Sequence, residues 1–125
     1  INDGVFNYCK SLAFINIPET VTSIGNSAFT NCYSLTGELV LSDSIKTIGN
    51  QAFNACSGLT SIHMGKNVTS IGSAAFRYCY KITTIDGSSD ICLLSKRKSI
   101  NNRNIVNTVM VAFDYLAIEE SDKDV

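Results

Sequence analysis

The segment Ser23–Leu35, SIGNSAFTNCYSL, decides the fold, because variants of it recur along the chain. They read TIGNQAFNACSGL at Thr47–Leu59, SIGSAAFRYCYKI at Ser70–Ile82 and, more loosely, INDGVFNYCKSL at Ile1–Leu12. Each copy places a cysteine three residues after a phenylalanine. The phenylalanines are Phe6, Phe29, Phe53 and Phe76, with spacings of 23, 24 and 23 residues, and the cysteines are Cys9, Cys32, Cys56 and Cys79. A fixed period of this length indicates a repeat architecture in which successive coils stack on one another.

A second pattern, the alternation of apolar residues that is typical of a strand, follows each copy. The alternating pairs are Ile15 and Ile17, Leu39 and Leu41, and Ile62 and Met64. Turn residues end these segments at Pro18, Ser42–Asp43 and Gly65. Because one strand recurs per coil, the strands are predicted to be parallel, with equivalent residues in ladders: the phenylalanines in one, and Ile24, Ile48 and Ile71 in another. The single spacing of 24 is assigned to one extra residue, Gly37.

Two local conformations are also predicted from the repeat. The AFxxC segment is too short for a stable helix, so a tight helical or 3₁₀ turn is expected there. The recurrent Gly25, Gly49 and Gly72 belong to no phosphate-binding motif, and they are expected to permit a tight turn with positive φ.

The repeat IGxxAFxxCxxLxxIxIPxxVTxI resembles the BspA-like type of leucine-rich repeat. The matching residues are Ile24, Gly25, Ala28, Phe29, Cys32, Leu35, Ile48, Gly49, Ala52, Phe53, Cys56, Leu59, Ile62, Val68, Ile71, Gly72, Ala75, Phe76 and Cys79. The resemblance covers residues 1–94 and departs at Gly37 and at Met64–Gly65, where Ile-Pro is usual. It implies a leucine-rich repeat solenoid, a right-handed β/α-type superhelix with parallel strands on its concave face, and short helical or 3₁₀ turns and loops elsewhere.

The chain is divided into two regions. Residues 1–94 are predicted to form about four solenoid coils of an N-terminally truncated array. Residues 95–125 are predicted to hold a solvated linker, a helix and an acidic tail, with the helix based on Ile105, Val109, Phe113 and Leu116 at helical spacing. This helix, Ile105–Leu116, is expected to cap the last coil. If it protrudes instead, its apolar stripe favours a homo-oligomer or a partner groove. An uncapped end of the solenoid also favours self-association, or further coils upstream.

Composition excludes several classes of function. The net charge of −1 gives no basic face for nucleic acid. No apolar run reaches 18 residues, so no membrane insertion is expected of this sequence, and no cofactor motif is present. With 45% hydrophobic residues, the chain can bury a core.

The four cysteines of one column have three interpretations. The first is a ladder of buried thiols beside the phenylalanines, since free cysteine is commonly buried. The second is disulfide pairing between adjacent coils, although parallel side chains suit its geometry poorly. The third is a metal site, which the lack of a CxxC motif and of a nearby histidine pair disfavours. Cys92, after the last complete copy, is the leading candidate for a reactive thiol, but burial under a cap is favoured over reactivity.

The outward positions of the strands are the candidate binding surface. By alternation they are Phe14, Asn16, Glu38, Val40, Ser61, His63, Thr84 and Asp86. His63 and Asp86 fall on neighbouring strands, an arrangement that a general base and its orienting carboxylate require, with Ser61 as the nearest hydroxyl. Tyr8, Tyr33, Tyr78 and Tyr80 flank the cysteine column, either as binding anchors or as cover for the phenylalanine ladder.

Three functions compete. The resemblance implies a cell-surface or secreted adhesin of the kind found in mucosal bacteria, treponemes and parasitic protists, binding host matrix or other cell-surface proteins as a virulence or host–pathogen factor. The alternative is an intracellular or structural protein-interaction scaffold with no host target. The interpretation as an enzyme depends on His63 and Asp86 alone, and a non-enzymatic protein-binding module is favoured over it.

Overall fold

The computed structural model describes residues 1–87, which form stacked coils with two parallel sheets. The strands are β1 (Ser23–Ile24), β2 (Gly37–Val40), β3 (Thr47–Ile48), β4 (Leu59–Met64), β5 (Ser70–Ile71) and β6 (Thr84–Gly87). One sheet has the order β2-β4-β6 and the other β1-β3-β5, and every pairing is parallel. The parallel stacking predicted from the period is confirmed. The short second sheet, on the return path of each coil, was not predicted.

The core of the stack is built from ladders of equivalent side chains. The rings of Phe6 and Phe29 lie 5.1 Å apart between centroids, those of Phe29 and Phe53 also 5.1 Å, and those of Phe53 and Phe76 5.4 Å. Ile24, Ile48 and Ile71 pair in register along the second sheet and are buried. Both predicted ladders are therefore confirmed. Because each side chain is covered by its equivalents above and below, one coil alone has no dry interior.

The AFxxC segments are successions of tight turns, and residues 1–87 contain no helix. Main-chain hydrogen bonds of the i to i+3 kind are present, as from Cys32 N–H to Phe29 O at 3.3 Å. Left-handed residues interrupt them, with φ of 55° at Ser27 and 61° at Asn31. These reversals turn alternate N–H groups toward the next coil, as from Phe29 N–H to Ala52 O at 2.8 Å. The predicted tight turns are present, with hydrogen bonds of the 3₁₀ kind, but within residues 1–87 none of them continues as a helix, because hydrogen bonding between coils replaces helical continuation.

The recurrent glycines also differ from the prediction, since Gly25, Gly49 and Gly72 do not have positive φ. They are required instead by close approach, because a Cβ at Gly49 would lie 2.6 Å from the Asn26 main-chain nitrogen. Positive φ occurs instead at Gly4, Gly37 and Gly87, with 78° at Gly37. The pairing of β2 with β4 shifts register between Gly37 and Glu38, so the inserted residue is absorbed locally.

The first coil is less regular than the others. Ile15 and Ile17 pack partly buried against the core as predicted, but residues 13–17 form no strand. A hydrogen bond from Thr36 N–H to Ala13 O, 3.3 Å long, joins this segment to the second coil. Within residues 1–87 this coil has a neighbour on one side only, which leaves its strand positions without a complete ladder. The predicted boundary at residue 94, Cys92 and the predicted cap Ile105–Leu116 lie outside the described residues.

Candidate functional site

The sheet β2-β4-β6 presents one side to the core and the other to solvent. Alternation buries Leu39, Ile62 and Ile85 in register, so the residues on either side of each point outward. Glu38, Ser61 and Thr84 form one outward column, and Val40, His63 and Asp86 form the other. We call this surface, together with Phe14 and Asn16 of the first coil, the strand face. The pairing of its six residues in coils two to four follows the predicted register.

Phe14 and Asn16 complete the strand face without the support of a strand. Both are exposed, and the Phe14 side chain is 81% accessible to solvent. Val40, on the second coil, is 52% accessible. Single exposed apolar residues are common on protein surfaces, and these two are notable because they lie on the same face of neighbouring coils. The strand face therefore has two exposed apolar side chains, those of Phe14 and Val40, among polar neighbours.

His63 and Asp86 form the closest polar contact of the strand face. His63 Nδ1 lies 2.6 Å from Asp86 Oδ1, as the sequence predicted from their neighbouring positions. Both side chains are open to water, and among residues 1–87 the ring has no second hydrogen-bond partner. General-base catalysis needs a nucleophile within hydrogen-bond reach of the base, and Ser61 makes no such bond to His63. The pair orients the imidazole on an open surface, which suits recognition.

The cysteine column is a ladder of free thiols. Cys32, Cys56 and Cys79 are buried, and each donates its S–H to the carbonyl of the phenylalanine in the preceding coil. All three sulfur-to-oxygen distances are 3.1 Å. The interpretation as buried thiols is confirmed for these three, and disulfide pairing is wrong for the four cysteines described. Within residues 1–87, no three potential metal ligands are grouped together.

Burial keeps these thiols protonated. Desolvation raises the pKa of the Cys32 and Cys56 thiols and takes the pKa of Cys79 from 9.0 to about 12. In the unfolded chain the Cys79 thiol ionises above its ordinary pKa, whereas in the folded chain it stays neutral. Its contribution to stability is therefore complete below pH 9 and is lost as the pH rises toward 12.

We expect replacement of Cys79 by alanine to flatten the alkaline decline in stability. Between about pH 8 and about pH 10, the wild-type chain should lose about 1.4 kcal/mol more free energy of unfolding than Cys79→Ala, for this one thiol. Urea titrations at each pH, followed by circular dichroism, measure the difference. Ser57→Ala, a truncation in an equivalent turn without a thiol, should keep the wild-type decline. Superimposable pH profiles for the wild type and Cys79→Ala would contradict the burial of a neutral thiol.

A polar ladder beside the second sheet was not anticipated. Asn26 N–H donates to Asp3 Oδ1 at 2.7 Å, and Asn50 N–H donates to Asn26 Oδ1 at 2.8 Å. Ser73 N–H then donates to Asn50 Oδ1 at 2.9 Å. The recurrence of Asn after Ile-Gly was a visible signal for this ladder. It satisfies one main-chain donor per coil and fixes the vertical register of the stack.

The four tyrosines that flank the cysteine column are exposed. Tyr80 is 79% accessible and lies 5.8 Å from Tyr78 between ring centroids. The Arg77 guanidinium carbon lies 5.1 Å from the centroid of the Tyr78 ring. Since the phenylalanine ladder is buried by its own stacking, these rings do not serve as its main cover. Of the two interpretations of the tyrosines, exposure favours binding anchors.

Comparison with known proteins relates this chain to repeat proteins of bacteria. The sequence model described as the BspA type leucine rich repeat region matches residues 1–113, in six copies. No curated protein matches. The crystal structure of a leucine rich cell surface protein from Faecalibacterium prausnitzii A2-165 is 39% identical with a TM-score of 0.68, over 72% of this chain and 23% of that one. That of a T. pallidum leucine rich repeat protein is 33% identical with a TM-score of 0.65, over 70% of this chain and 40% of that one. This chain therefore corresponds to less than half of either protein.

Proposed function

Because this chain belongs to the BspA-type leucine-rich repeat family, whose repeats are generally protein-interaction modules, we propose that it binds a protein partner through the strand face. The observation that carries this proposal is the register of the two outward columns across β2, β4 and β6. A rigid sheet with in-register side chains is preorganised, so its contacts need little ordering on binding.

The strand face has the composition of a recognition surface. Val40 and Phe14 supply exposed apolar area, and the His63–Asp86 pair supplies a fixed polar contact between neighbouring coils. Repeat solenoids generally present an extended concave surface, and the strand face is the surface that we assign to this role. An extended segment of a partner would contact several coils there at once.

The place of action that we propose is the cell surface or the extracellular medium. The neighbour from Faecalibacterium prausnitzii is itself a cell surface protein, and it is 39% identical to this chain. An adhesin that binds host matrix proteins or other cell-surface proteins is the specific form of this proposal. The alternative is an intracellular or structural scaffold with no host target. An export signal in the full-length gene, together with protease accessibility on intact cells, supports the first, and protection from protease supports the second.

The binding proposal is tested by placing carboxylates on the strand face. We expect Val40→Glu combined with His63→Glu to abolish binding, weakening it by at least about 100-fold, because two charges then oppose a complementary surface. Purified fibronectin, laminin and fibrillar collagen are the immobilised probes, and biolayer interferometry measures the affinity. The matched control is Thr47→Glu combined with Ser70→Glu, which places two carboxylates on the exposed positions of β3 and β5.

The control keeps charge and number of substitutions comparable while moving them to the other sheet. Binding that survives in the control and disappears in the strand-face variant supports the proposal. Equal affinity of the strand-face variant and the wild type would place the site elsewhere. Circular dichroism of both variants establishes that the exposed substitutions leave the stack folded.

A further inference from the structure

Charges are segregated between two sides of the stack. We define the turn side as residues 4–12, 27–36, 51–59 and 74–83, the four segments that contain the phenylalanines and cysteines. It holds the cations Lys10, Arg77 and Lys81 and contains no aspartate or glutamate. The strand face holds Glu38 and Asp86 and contains no lysine or arginine. The turn side therefore has a positive field of its own, suited to an anionic partner.

The tyrosines of the turn side are placed at a cost to the backbone. Tyr8 and Tyr78 have left-handed φ values of 61° and 64°, a conformation that is unfavourable for bulky residues. Asn31, at the equivalent position of the second coil, is a residue type better suited to it. Burial does not compensate this cost, because Tyr8 and Tyr78 are both exposed. The same position is left-handed at Ala55 as well, with φ 61°, and hydrogen bonds between coils offset the cost, as from Tyr8 N–H to Thr30 O at 2.8 Å. The conformation therefore belongs to the repeat, and it leaves the Tyr8 and Tyr78 rings on the exposed surface.

The remaining surface of the turn side is polar. In coils two to four, its exposed large hydrophobic residues are all tyrosines: Tyr33, Tyr78 and Tyr80. In these coils its aliphatic side chains, Leu35, Leu59 and Ile82, are buried, so no aliphatic patch is exposed there. Tyrosine offers a flat apolar ring and a hydroxyl, and Tyr33 Oη already donates to Asn31 Oδ1 at 2.9 Å. Flat rings, hydroxyls, amides and cations without carboxylates match a hydroxyl-rich, negatively charged ligand.

We propose that the turn side binds a linear acidic polysaccharide, a second activity independent of the strand face. The C–H faces of the sugar rings stack on Tyr78 and Tyr80, whose rings are inclined at 47° and offer two adjacent stacking faces. Sulfate or carboxylate groups pair with Arg77 and Lys81 beside those faces, with Arg77 already held over the Tyr78 ring. A linear chain that runs along the stack reaches Tyr33 and Lys10 on earlier coils, so affinity grows with chain length.

The test is calorimetric titration of the full chain with a heparin-derived decasaccharide at neutral pH. Removing the charges with Arg77→Gln and Lys81→Gln should weaken binding by about tenfold, and the loss should shrink as salt is added. Tyr80→Ser leaves the charge unchanged and should weaken binding by about fivefold through loss of one stacking face. The matched control, Lys46→Gln with Lys66→Gln, removes two exposed cations outside the turn side and should change the affinity by less than about twofold.

Three further titrations separate the turn side from the rest of the chain and a polysaccharide from an acidic protein. The strand-face variant, Val40→Glu with His63→Glu, should bind the decasaccharide as the wild type does. The two binding proposals are therefore tested independently. The sequence also carries Lys96, Arg97 and Lys98, and loss of binding on their replacement by glutamine, but not on replacement of Arg77 and Lys81, would overturn the assignment. Two other results would also overturn it. One is an absence of decasaccharide binding. The other is equal affinity for a polyglutamate peptide that also depends on Tyr80, since the partner would then be an acidic protein.

Discussion

Replacement of Phe53 by alanine is expected to lower the free energy of unfolding by about 3–5 kcal/mol, which is much of the stability of a small domain. The Phe53 ring is fully buried and stacks on Phe29 at 5.1 Å and on Phe76 at 5.4 Å. The truncation removes both stacking contacts and leaves a cavity. The backbone cannot collapse into it, because Phe53 N–H and O belong to the hydrogen-bonded turns that hold neighbouring coils.

The matched control is the same substitution at the first coil. Within residues 1–87, Phe6 stacks on one ring, that of Phe29, and it is 36% accessible. We expect Phe6→Ala to cost about 1 kcal/mol, since less apolar surface returns to water and no enclosed cavity forms. Urea titrations followed by far-ultraviolet circular dichroism measure both variants. Similar losses for Phe6→Ala and Phe53→Ala would contradict a stack in which coverage from both sides provides the stability.

The ladders of equivalent side chains were predictable because the sequence repeats the residues that form them. Phe29, Phe53 and Phe76 recur at one period, and only stacking of equivalent residues keeps all of them dry. The same period fixed the pairing of Ile48 with Ile71. A repeat encodes the vertical neighbours of each residue directly, without knowledge of the conformation within one coil.

The conformation within one coil was not predictable in the same way. The left-handed φ of Ser27 and Asn31 follows from hydrogen bonds to the next coil, and neither residue type demands it. Gly49 was interpreted as a source of positive φ, yet it is required by the approach of Asn26 from the preceding coil. Backbone torsions that depend on contacts between coils carry no signature in the residue that adopts them, because many residue types tolerate them at modest strain.

The candidate site was predictable in position for coils two to four. The pairing of His63 with Asp86 followed from alternation and period, and their contact at 2.6 Å agrees with it. Phe14 and Asn16 remain binding predictions on a coil without a strand. The chemistry of the partner is not encoded by the repeat, because the outward residues are the positions that the stack leaves free to vary.

The glycine of the Ile-Gly pair gives the second large effect, with Gly49→Ala expected to lower the free energy of unfolding by about 3 kcal/mol. A Cβ at residue 49 would lie 2.6 Å from Asn26 N and from Asn26 Oδ1, and 2.7 Å from the carbonyl carbon of Gly25. These atoms cannot withdraw easily. Gly49 N–H donates to Ile24 O at 2.8 Å and Asn50 N–H donates to Asn26 Oδ1 at 2.8 Å, so relief of the clash breaks the bonds between two coils.

Gly37→Ala is the control that separates crowding from backbone conformation. Gly37 has φ 78° and a Cβ there would meet no atom within 4 Å, so alanine should cost about 1 kcal/mol from the left-handed conformation alone. Asparagine at residue 37 should recover part of that loss, because it tolerates this conformation better, whereas no side chain at residue 49 should do so. Urea titrations of Gly49→Ala, Gly37→Ala and Gly37→Asn make the comparison. If Gly49→Ala costs no more than Gly37→Ala, the coils are farther apart than the structure places them, and the conformational interpretation of the repeated glycine is restored.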